Sequence, residues 1–333
     1  MKQTFVLCIL LLLFGFQSHT YAKEQRTIVQ THEVYTFEDL TEDLYHLQKA
    51  YRDSIQVKVI GHSTYKKPIY AVKVGQGNQS ILINASHHGR EWMTSLLTMK
   101  MIEEYAHSHK YHKEYEGYHT SLLDEVSIWF VPMVNPDGVE IQQTGLFQIA
   151  SSERLVQLLM MNGGSVDFSR WKANGAGIDL NRQYEAGWDQ LEDSAPFPFY
   201  QLYKGIKPHS APEVQALVTF TEKIQPLMAV SYHSSGRVLY WYYQTEKAHI
   251  KRDKKIAKQV ADITGYKLDK PIHTAIGGGY TDWFIQTYKK PAMTIEISYE
   301  VNETNPPLSV FQEEWNRNKT VGIHLAREAI QLK

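Results

Sequence analysis

Cysteine is almost absent from this sequence of 333 residues. The single cysteine, Cys8, lies in an apolar stretch close to the first residue. The rest of the chain therefore cannot form a disulfide or a cysteine-ligated zinc site. Any zinc site must be built from histidine, aspartate and glutamate, a ligand set that is more typical of catalytic than of structural zinc.

Long apolar runs are also missing, apart from one near the first residue. Lys2 is followed by the apolar residues 5–16 and then by Ala22, a small residue suited to cleavage. This pattern predicts a secretory signal peptide over residues 1–22. The apolar core is shorter than a bilayer-crossing helix requires, so a membrane anchor is the weaker alternative. A lipid-modified Cys8 is also weaker, because too few residues precede it.

Neither sign of charge is in excess. Lys and Arg total 35, Asp and Glu total 36, and the formal net charge is −1. Nucleic-acid binding usually requires a basic stripe, so this balance argues against it. Partners must therefore be inferred from the candidate site.

Predicted strands and helices alternate along the chain, as judged from apolar periodicity and turn residues. The predicted strands cover residues 56–61, 69–74, 80–85, 126–134, 226–233 and 292–298. The predicted helices cover residues 37–52, 93–107, 211–222 (capped by Ser210), 251–265, 280–288 and 308–332, and residues 140–178 are predicted to be rich in loops. Such alternation is typical of a mostly parallel, twisted sheet between helices. We expect an α/β protein with a single-domain, three-layer α/β/α sandwich over residues 36–333, preceded by a lead-in over residues 23–35.

Candidate metal ligands lie at or just beyond the ends of predicted strands. His88 and Glu91 follow the strand 80–85, and His233 ends another strand. Two imidazoles and a carboxylate can hold one zinc ion and leave a fourth position open for water. Glu296 lies between apolar residues of a predicted buried strand, where a carboxylate is costly unless it is used, and we expect it to be the general base. His87 is excluded, since it would point to the other side of an extended segment.

Asp179 is the expected partner of a ligand histidine. A histidine that binds metal usually donates its second ring N–H to a carboxylate. In an extended segment Asp179 and Asn181 would face the same side, with Arg182 next in the chain. A surface salt bridge is the alternative interpretation of this acid.

Five motifs, in this order, resemble the zinc carboxypeptidase family, and the likeness extends from about residue 36 to residue 330. They are His88-Gly89-Arg90-Glu91-Trp92, Asn135-Pro136-Asp137-Gly138, Asp179-Leu180-Asn181-Arg182, His233 and Glu296. The resemblance implies one zinc ion bound by His88, Glu91 and His233, with Glu296 as general base. It also implies that Asn181 and Arg182 receive the free carboxylate of the terminal residue, and that Arg90 assists substrate binding further along the cleft.

Within the family, three segments are similar to the bacterial γ-D-glutamyl-L-diamino acid peptidase I branch, which cleaves cell-wall peptides. They are residues 170–179, 277–284 and 306–316.

Two positions depart from the family pattern. Lys172 stands where the family usually has an arginine that polarises the scissile carbonyl, and Arg170 lies just before it, so either could act. The mobile tyrosine of the family aligns with Thr274, so Tyr280 either takes its role or lines the specificity pocket. Thr281 aligns with the base of that pocket.

The leading hypothesis is a secreted zinc peptidase that hydrolyses the γ-D-glutamyl–meso-diaminopimelate bond of peptidoglycan peptides. A polar pocket with Thr281 and the neighbouring Asp282 would suit a diamino acid. The alternatives are a general zinc carboxypeptidase acting on ordinary peptides and a zinc-free module that only binds wall peptides. We expect a monomer with a peptidoglycan-derived peptide as partner, no nucleic acid, and no membrane association after signal cleavage.

Overall fold

The structure is a computed structural model that describes residues 27–145, 152–270 and 277–332. The predicted signal peptide over residues 1–22 and Thr274 lie outside the described residues. The helices of the described part are α1 (Phe37–Ala50), α2 (Met93–Lys110), α3 (Pro136–Thr144), α4 (Ser152–Met161), α5 (Pro212–Ile224), α6 (Lys247–Thr264), α7 (Tyr280–Tyr288), α8 (Phe311–Asn318) and α9 (Val321–Ile330). None of these described helices has the length and apolar character needed to cross a membrane.

The strands of the described part are β1 (Ile55–His62), β2 (Pro68–Val74), β3 (Gln79–Ala85), β4 (Glu114–Tyr115), β5 (Tyr118–His119), β6 (Val126–Val131), β7 (Ala229–Ser234), β8 (Val238–Tyr240), β9 (Lys267–Leu268) and β10 (Ala292–Ile297). Eight of them form one sheet in the order β1-β2-β6-β3-β7-β10-β8-β9. The central strands β6, β3, β7 and β10 are parallel, whereas β1 and β2, β2 and β6, and β8 and β10 pair antiparallel. The edge strand β9 is parallel to β8. This confirms the predicted mixed, mostly parallel sheet.

Alternate residues of the central strands face two separate apolar cores. In β3, Ile81 and Ile83 pack with α2 and α9 on one face of the sheet. Leu82 faces the opposite side and packs with α5 and α7. Because both faces are covered, these strands are apolar almost throughout instead of alternating with polar residues. The predicted three-layer arrangement is confirmed.

Some local predictions were wrong. The predicted helix 308–332 consists of two helices, α8 and α9, which share α6 as a neighbour and differ in their other partners: α8 packs against α2, and α9 packs against β3 and β6. Ser210 does not cap α5. Its hydroxyl donates to Gln183 Oε1 at 3.0 Å, and Ala211 is the N-cap residue. The region 140–178, predicted to be rich in loops, contains α4. Apolar periodicity does not reveal a change of packing partner, so it missed the break in the last helix.

Candidate active site

The candidate ligands meet at the carboxyl edge of the sheet. Strand β3 ends at Ala85, and a short 3-10 turn over Gly89–Glu91 begins directly after His88. This turn brings the side chains of His88 and Glu91 close together. His233 lies in the adjacent strand β7 and pairs in register with Glu296 of β10. Parallel neighbouring strands present their ends at one edge, which is where ligands gather in open α/β sheets.

The ligand atoms of His88, Glu91 and His233 all lie within 4.8 Å of one another, and the three residues are buried. His88 Nδ1 is 2.8 Å from Glu91 Oε1, and His233 Nδ1 is 2.9 Å from Glu91 Oε2. With zinc–nitrogen bonds of about 2.0–2.1 Å, two ligand atoms of a tetrahedral site lie roughly 3.3–3.4 Å apart. The two Nδ1 atoms are 3.3 Å apart. The donor set therefore fits one zinc ion, and the two imidazole nitrogens have the separation of a tetrahedral site.

The electrostatics of the group favour an ionised carboxylate between the two imidazoles. Burial alone would raise the pKa of Glu91, but His88 and His233 outweigh burial and hold the pKa of Glu91 well below its ordinary range. Metal ligands must be deprotonated carboxylates and neutral imidazoles. Glu91 is therefore already in the state that a metal ion requires.

Asp179 contacts the outer nitrogen of His88. His88 Nε2 lies 3.0 Å from Asp179 Oδ1, so an N–H on Nε2 leaves Nδ1 unprotonated toward Glu91. Burial would raise the pKa of Asp179, but the contact with His88 outweighs it and lowers that pKa. The expected extended segment is wrong, since residues 180–182 form a 3-10 turn with Asp179 as N-cap. The carboxylate also accepts from the N–H groups of Asn181 at 3.2 Å and Leu202 at 3.0 Å.

His87 lies close to the ligand group, which consists of His88, Glu91 and His233, without belonging to it. Its ring stacks on that of His233, with centroids 5.5 Å apart, and its Nε2 is 2.8 Å from Tyr184 Oη. Burial lowers the pKa of His87 well below its ordinary value, which keeps the ring neutral. The side chain fills the space behind His233.

Glu296 faces the same cavity as the ligand group. Its register partner on β7 is His233. Burial, followed by the negative charge of Glu91, raises the pKa of Glu296 to about 8. In this environment the carboxylate readily accepts a proton.

A cavity of 380 Å³ lies over the ligand group and has a cationic wall formed by Arg90, Lys172 and Arg182. Arg182 is restrained by the backbone oxygen of Asp193 at 2.6 Å and by Asp179 at 3.9 Å. The lining also contains residues that the sequence had not indicated: Ser234 at the end of β7, Ser235 after it, and Glu300, Val301, Asn302 and Thr304 after β10. None of these six residues belongs to a motif or a periodic pattern, so no sequence signal pointed to them.

Lys172 and Arg170 occupy different environments. Lys172 lines the cavity, and its backbone is tied to the ligand turn because Gly89 N–H donates to Lys172 O at 3.0 Å. The guanidinium of Arg170 lies 4.0 Å from the ring centroid of Tyr200 and donates to Asn162 O at 2.8 Å. Arg170 does not line the cavity, and its own carbonyl accepts from Arg90 at 3.3 Å.

The Asn135-Pro136-Asp137-Gly138 motif holds Lys172 close to the turn that carries His88 and Glu91. Asn135 caps α3, and its Nδ2 donates to His87 O at 3.0 Å and Lys172 O at 3.2 Å. A Cβ on Gly89 would lie 2.2 Å from Gly138 O, so only glycine permits this approach of the two backbones. The motif thus sets the position of Lys172 relative to His88.

A second cavity of 310 Å³ adjoins the first, and Asn181, Gly277 and Glu296 line both. Thr281 and Asp282 line it as well, together with Asp269 and Lys270, which the sequence had not indicated. Burial raises the pKa of Asp282 to about 7.

Asn181 and Tyr280 are linked, but only Asn181 lines the second cavity. Asn181 Oδ1 accepts from Tyr280 N–H at 3.1 Å. The Tyr280 side chain is fully buried in the core, and its hydroxyl lies 3.1 Å from Thr221 Oγ1.

A buried His–Glu–His group with a carboxylate beside it, at the carboxyl edge of an α/β sheet, is the site of a zinc-dependent hydrolase. The chain belongs to the zinc carboxypeptidase family, whose sequence profile matches residues 40–321. It is therefore a zinc metallopeptidase, and its described residues contain a group, His88, Glu91 and His233, that can bind one metal ion.

Two relatives match most of the chain. The gamma-D-glutamyl-L-diamino acid endopeptidase 1 of Lysinibacillus sphaericus is 31% identical over 303 residues, which covers 90% of this chain and 73% of the relative. An uncharacterized protein of Bacillus subtilis is 30% identical over 275 residues, which covers 81% of this chain and 70% of the relative.

Solved structures share the fold. Bovine thrombin-activatable fibrinolysis inhibitor, in complex with tick carboxypeptidase inhibitor, gives a TM-score of 0.71 at 18% identity and covers 91% of this chain and 99% of its own. The murein-tripeptide amidase MpaA from Escherichia coli O157 gives a TM-score of 0.51 at 19% identity and covers 84% of this chain and 95% of its own. At these identities the likeness concerns the fold alone.

Proposed function

We propose that the chain is a secreted zinc peptidase that hydrolyses the bond between γ-D-glutamate and meso-diaminopimelate in peptidoglycan peptides. The observation that carries the substrate assignment is the set of charged residues, Asp269, Lys270 and Asp282, in the lining of the second cavity, beside the aromatic side chains of Tyr240, Trp241 and Tyr242. The name of the Lysinibacillus sphaericus relative supports the same class of bond.

His88, Glu91 and His233 hold the zinc ion in this proposal, with Asp179 orienting His88. When bound, zinc supplies Lewis acidity and lowers the pKa of water toward neutrality. Glu296 takes a proton from the attacking water and delivers it to the leaving amine. The raised pKa of Glu296 and its place beside His233 support this role.

Lys172 stabilises the negative charge that develops on the scissile carbonyl oxygen. Its position in the lining of the cavity supports this role over Arg170, whose guanidinium is held by Tyr200 and Asn162. An ammonium acts here as a point charge and not as a planar fork, so its orientation is less restricted.

Asn181 and Arg182 receive the free α-carboxylate of the terminal residue. Asn181 lines both cavities, so a carboxylate bound there directs the side chain of the terminal residue into the second cavity. A guanidinium matches a carboxylate with two parallel hydrogen bonds. Arg90 binds the substrate further along the first cavity.

The second cavity receives the side chain of diaminopimelate, which ends in an ammonium and a carboxylate. Asp269 and Lys270 provide one acidic and one basic partner, and Thr281 lies deeper, with its hydroxyl 2.8 Å from Thr294 Oγ1. A purely apolar terminal side chain offers Asp269 and Lys270 no charged partner, so it forgoes the charge-assisted hydrogen bonds that diaminopimelate makes. Tyr280 acts by packing under this cavity and not as a mobile residue.

The test compares L-alanyl-γ-D-glutamyl-meso-diaminopimelate with an α-linked peptide that ends in leucine, using mass spectrometry of the products. We expect release of diaminopimelate to be the faster reaction and to stop when zinc is removed by a chelator. The Glu296→Gln variant should retain zinc and lose about 10²–10⁴-fold in turnover. Faster trimming of the α-linked peptide would indicate a general carboxypeptidase, and binding without cleavage would indicate a binding module.

Secretion is a separate part of the proposal. We expect the protein to be found outside the cell as a monomer that begins at residue 23, after cleavage behind Ala22. Determination of the first residues of the extracellular protein, together with its mass in solution, tests both statements.

A further inference from the structure

The two histidines of the ligand group have different outer partners. His88 Nε2 faces the carboxylate of Asp179 at 3.0 Å. His233 Nε2 faces a hydroxyl instead, because Ser231 Oγ lies 3.1 Å away on the same strand. Alternate residues of a strand project on the same face, which brings Ser231 beneath the ring of His233.

Ser231 is itself held by the neighbouring strand. Asn84 of β3 pairs in register with Ser231 of β7, and Ser231 Oγ lies 2.7 Å from Asn84 Oδ1. Asn84, Ser231 and His233 are 0%, 1% and 1% exposed, so water does not compete for these contacts. An amide oxygen only accepts, so the single hydroxyl proton of Ser231 is donated to Asn84. The Ser231 oxygen is then left to accept from an N–H on His233 Nε2.

This direction of hydrogen bonding determines which nitrogen of His233 is available to a metal. A neutral imidazole has one protonated and one unprotonated nitrogen. With the proton on Nε2, the unprotonated Nδ1 points to the ligand group, 3.3 Å from His88 Nδ1. If the Ser231 hydroxyl were donated to Nε2 instead, the proton of a neutral ring would lie on Nδ1 and block metal binding.

This direction requires the amide oxygen of Asn84, and not its NH₂ group, to face Ser231. Asn84 Nδ2 is buried without a hydrogen-bond partner among the described residues. If the amide were reversed, Asn84 Nδ2 would donate to Ser231 Oγ, and the Ser231 hydroxyl would have to donate to another acceptor. His87 Nδ1 is the other nearby ring atom, at 3.5 Å from Ser231 Oγ, and is a weaker partner than His233.

We propose that Ser231, held by Asn84, is a positioning residue that keeps the proton on His233 Nε2 and presents Nδ1 to the zinc ion. The inference rests on the proposed zinc-dependent function. It deepens that function by assigning an orienting pair to the second histidine, in which a neutral hydroxyl does for His233 what the carboxylate of Asp179 does for His88.

The experiment measures the zinc dissociation constant by competition with a chromogenic chelator, in the full chain. Outer partners of metal-bound histidines typically contribute about 10–100-fold to metal affinity. We expect Ser231→Ala to weaken zinc binding by that factor. Ser231→Thr, which keeps the hydroxyl, should stay within about threefold of wild type, and Asn84→Ala should fall between the two.

Ser127→Ala is the matched control. Ser127 is a fully buried serine of β6 whose hydroxyl donates to Gly77 O at 3.0 Å, away from the ligand group. Its replacement should lower the stability of the zinc-free protein, measured by urea unfolding, and leave zinc affinity unchanged. Equal zinc affinity in Ser231→Ala and wild type would overturn the inference, as would an equal loss of affinity in Ser127→Ala. A wild-type chain that binds no zinc would overturn the proposed function as well, so the two failures are distinguishable.

Discussion

Replacement of Asp179 by asparagine is a sharp test of the ligand group, because it changes charge with little change in shape. Asp179 is 2% exposed, and its two oxygens accept from three donors: His88 Nε2 and the N–H of Asn181 on Oδ1, and the N–H of Leu202 on Oδ2. An asparagine has only one oxygen. Whichever way its amide turns, the NH₂ group faces a donor: the buried ring N–H of His88 or the half-buried N–H of Leu202.

The magnitude follows from these contacts. If the NH₂ group faces Leu202, one half-buried backbone donor loses its partner, at a cost of at most about 1–3 kcal/mol of folding stability. If it faces His88, the ring loses its acceptor, and zinc affinity falls by about 10–100-fold. Loss of the negative charge weakens His88 as a ligand in either orientation. We therefore expect weaker zinc binding together with a lower free energy of unfolding.

The assay is zinc competition with a chelator, run beside urea unfolding of the zinc-free protein. Asp193→Asn is the control, since the Asp193 side chain is 80% exposed and lies 3.9 Å from Arg182. It should leave both quantities unchanged. Zinc affinity of Asp179→Asn within twofold of wild type would refute the reasoning, because the carboxylate would then contribute nothing to His88 as a ligand.

Three further changes test other parts of the site. Asp269→Asn removes the acidic partner in the second cavity, so the kcat/KM ratio of γ-D-glutamyl-lysine over γ-D-glutamyl-leucine should fall by about tenfold; an unchanged ratio in steady-state kinetics would speak against this partner. Because the pKa of Glu296 is raised from 4.5 to about 8 in the zinc-free fold, stability is greatest below the lower value and falls as pH rises through the higher one. The free energy of urea unfolding of the wild type should therefore fall relative to that of Glu296→Gln as the pH rises from 6 to 9. A difference that stays constant with pH would contradict this expectation. Gly89→Ala places a Cβ 2.2 Å from Gly138 O, so we expect a loss of at least ~2 kcal/mol in unfolding free energy, and an unchanged unfolding midpoint would be incompatible with this contact.

Some of the site could be predicted from local sequence because the chemistry is local. His88 and Glu91 are three residues apart, and the short turn that contains Glu91 follows His88 directly. His233 and Glu296 could be assigned to strands from apolar periodicity, and carboxyl ends of parallel strands gather at one edge of a sheet. The α/β class, the layered sheet and the candidate zinc ligands therefore required no knowledge of tertiary contacts.

Other features depended on contacts between distant segments. Arg170 and Lys172 are two residues apart, yet only Lys172 lines the cavity, because Tyr200 and Asn162 hold the arginine elsewhere. Tyr280 begins a helix as predicted, but its side chain turns into the core toward Thr221. No local pattern encodes these partners.

The sequence by itself thus determined the main strands and helices of the layered sheet, the candidate ligands and the class of chemistry, since these depend on periodicity and on motifs. Tertiary structure alone decided which cation faces the ligand group, which polar residues line the second cavity, and how Asn84 meets Ser231 across two strands. The physical reason is that strand register and loop paths result from packing over the whole chain, and a side chain that faces a cavity has the same local sequence as one that faces the core.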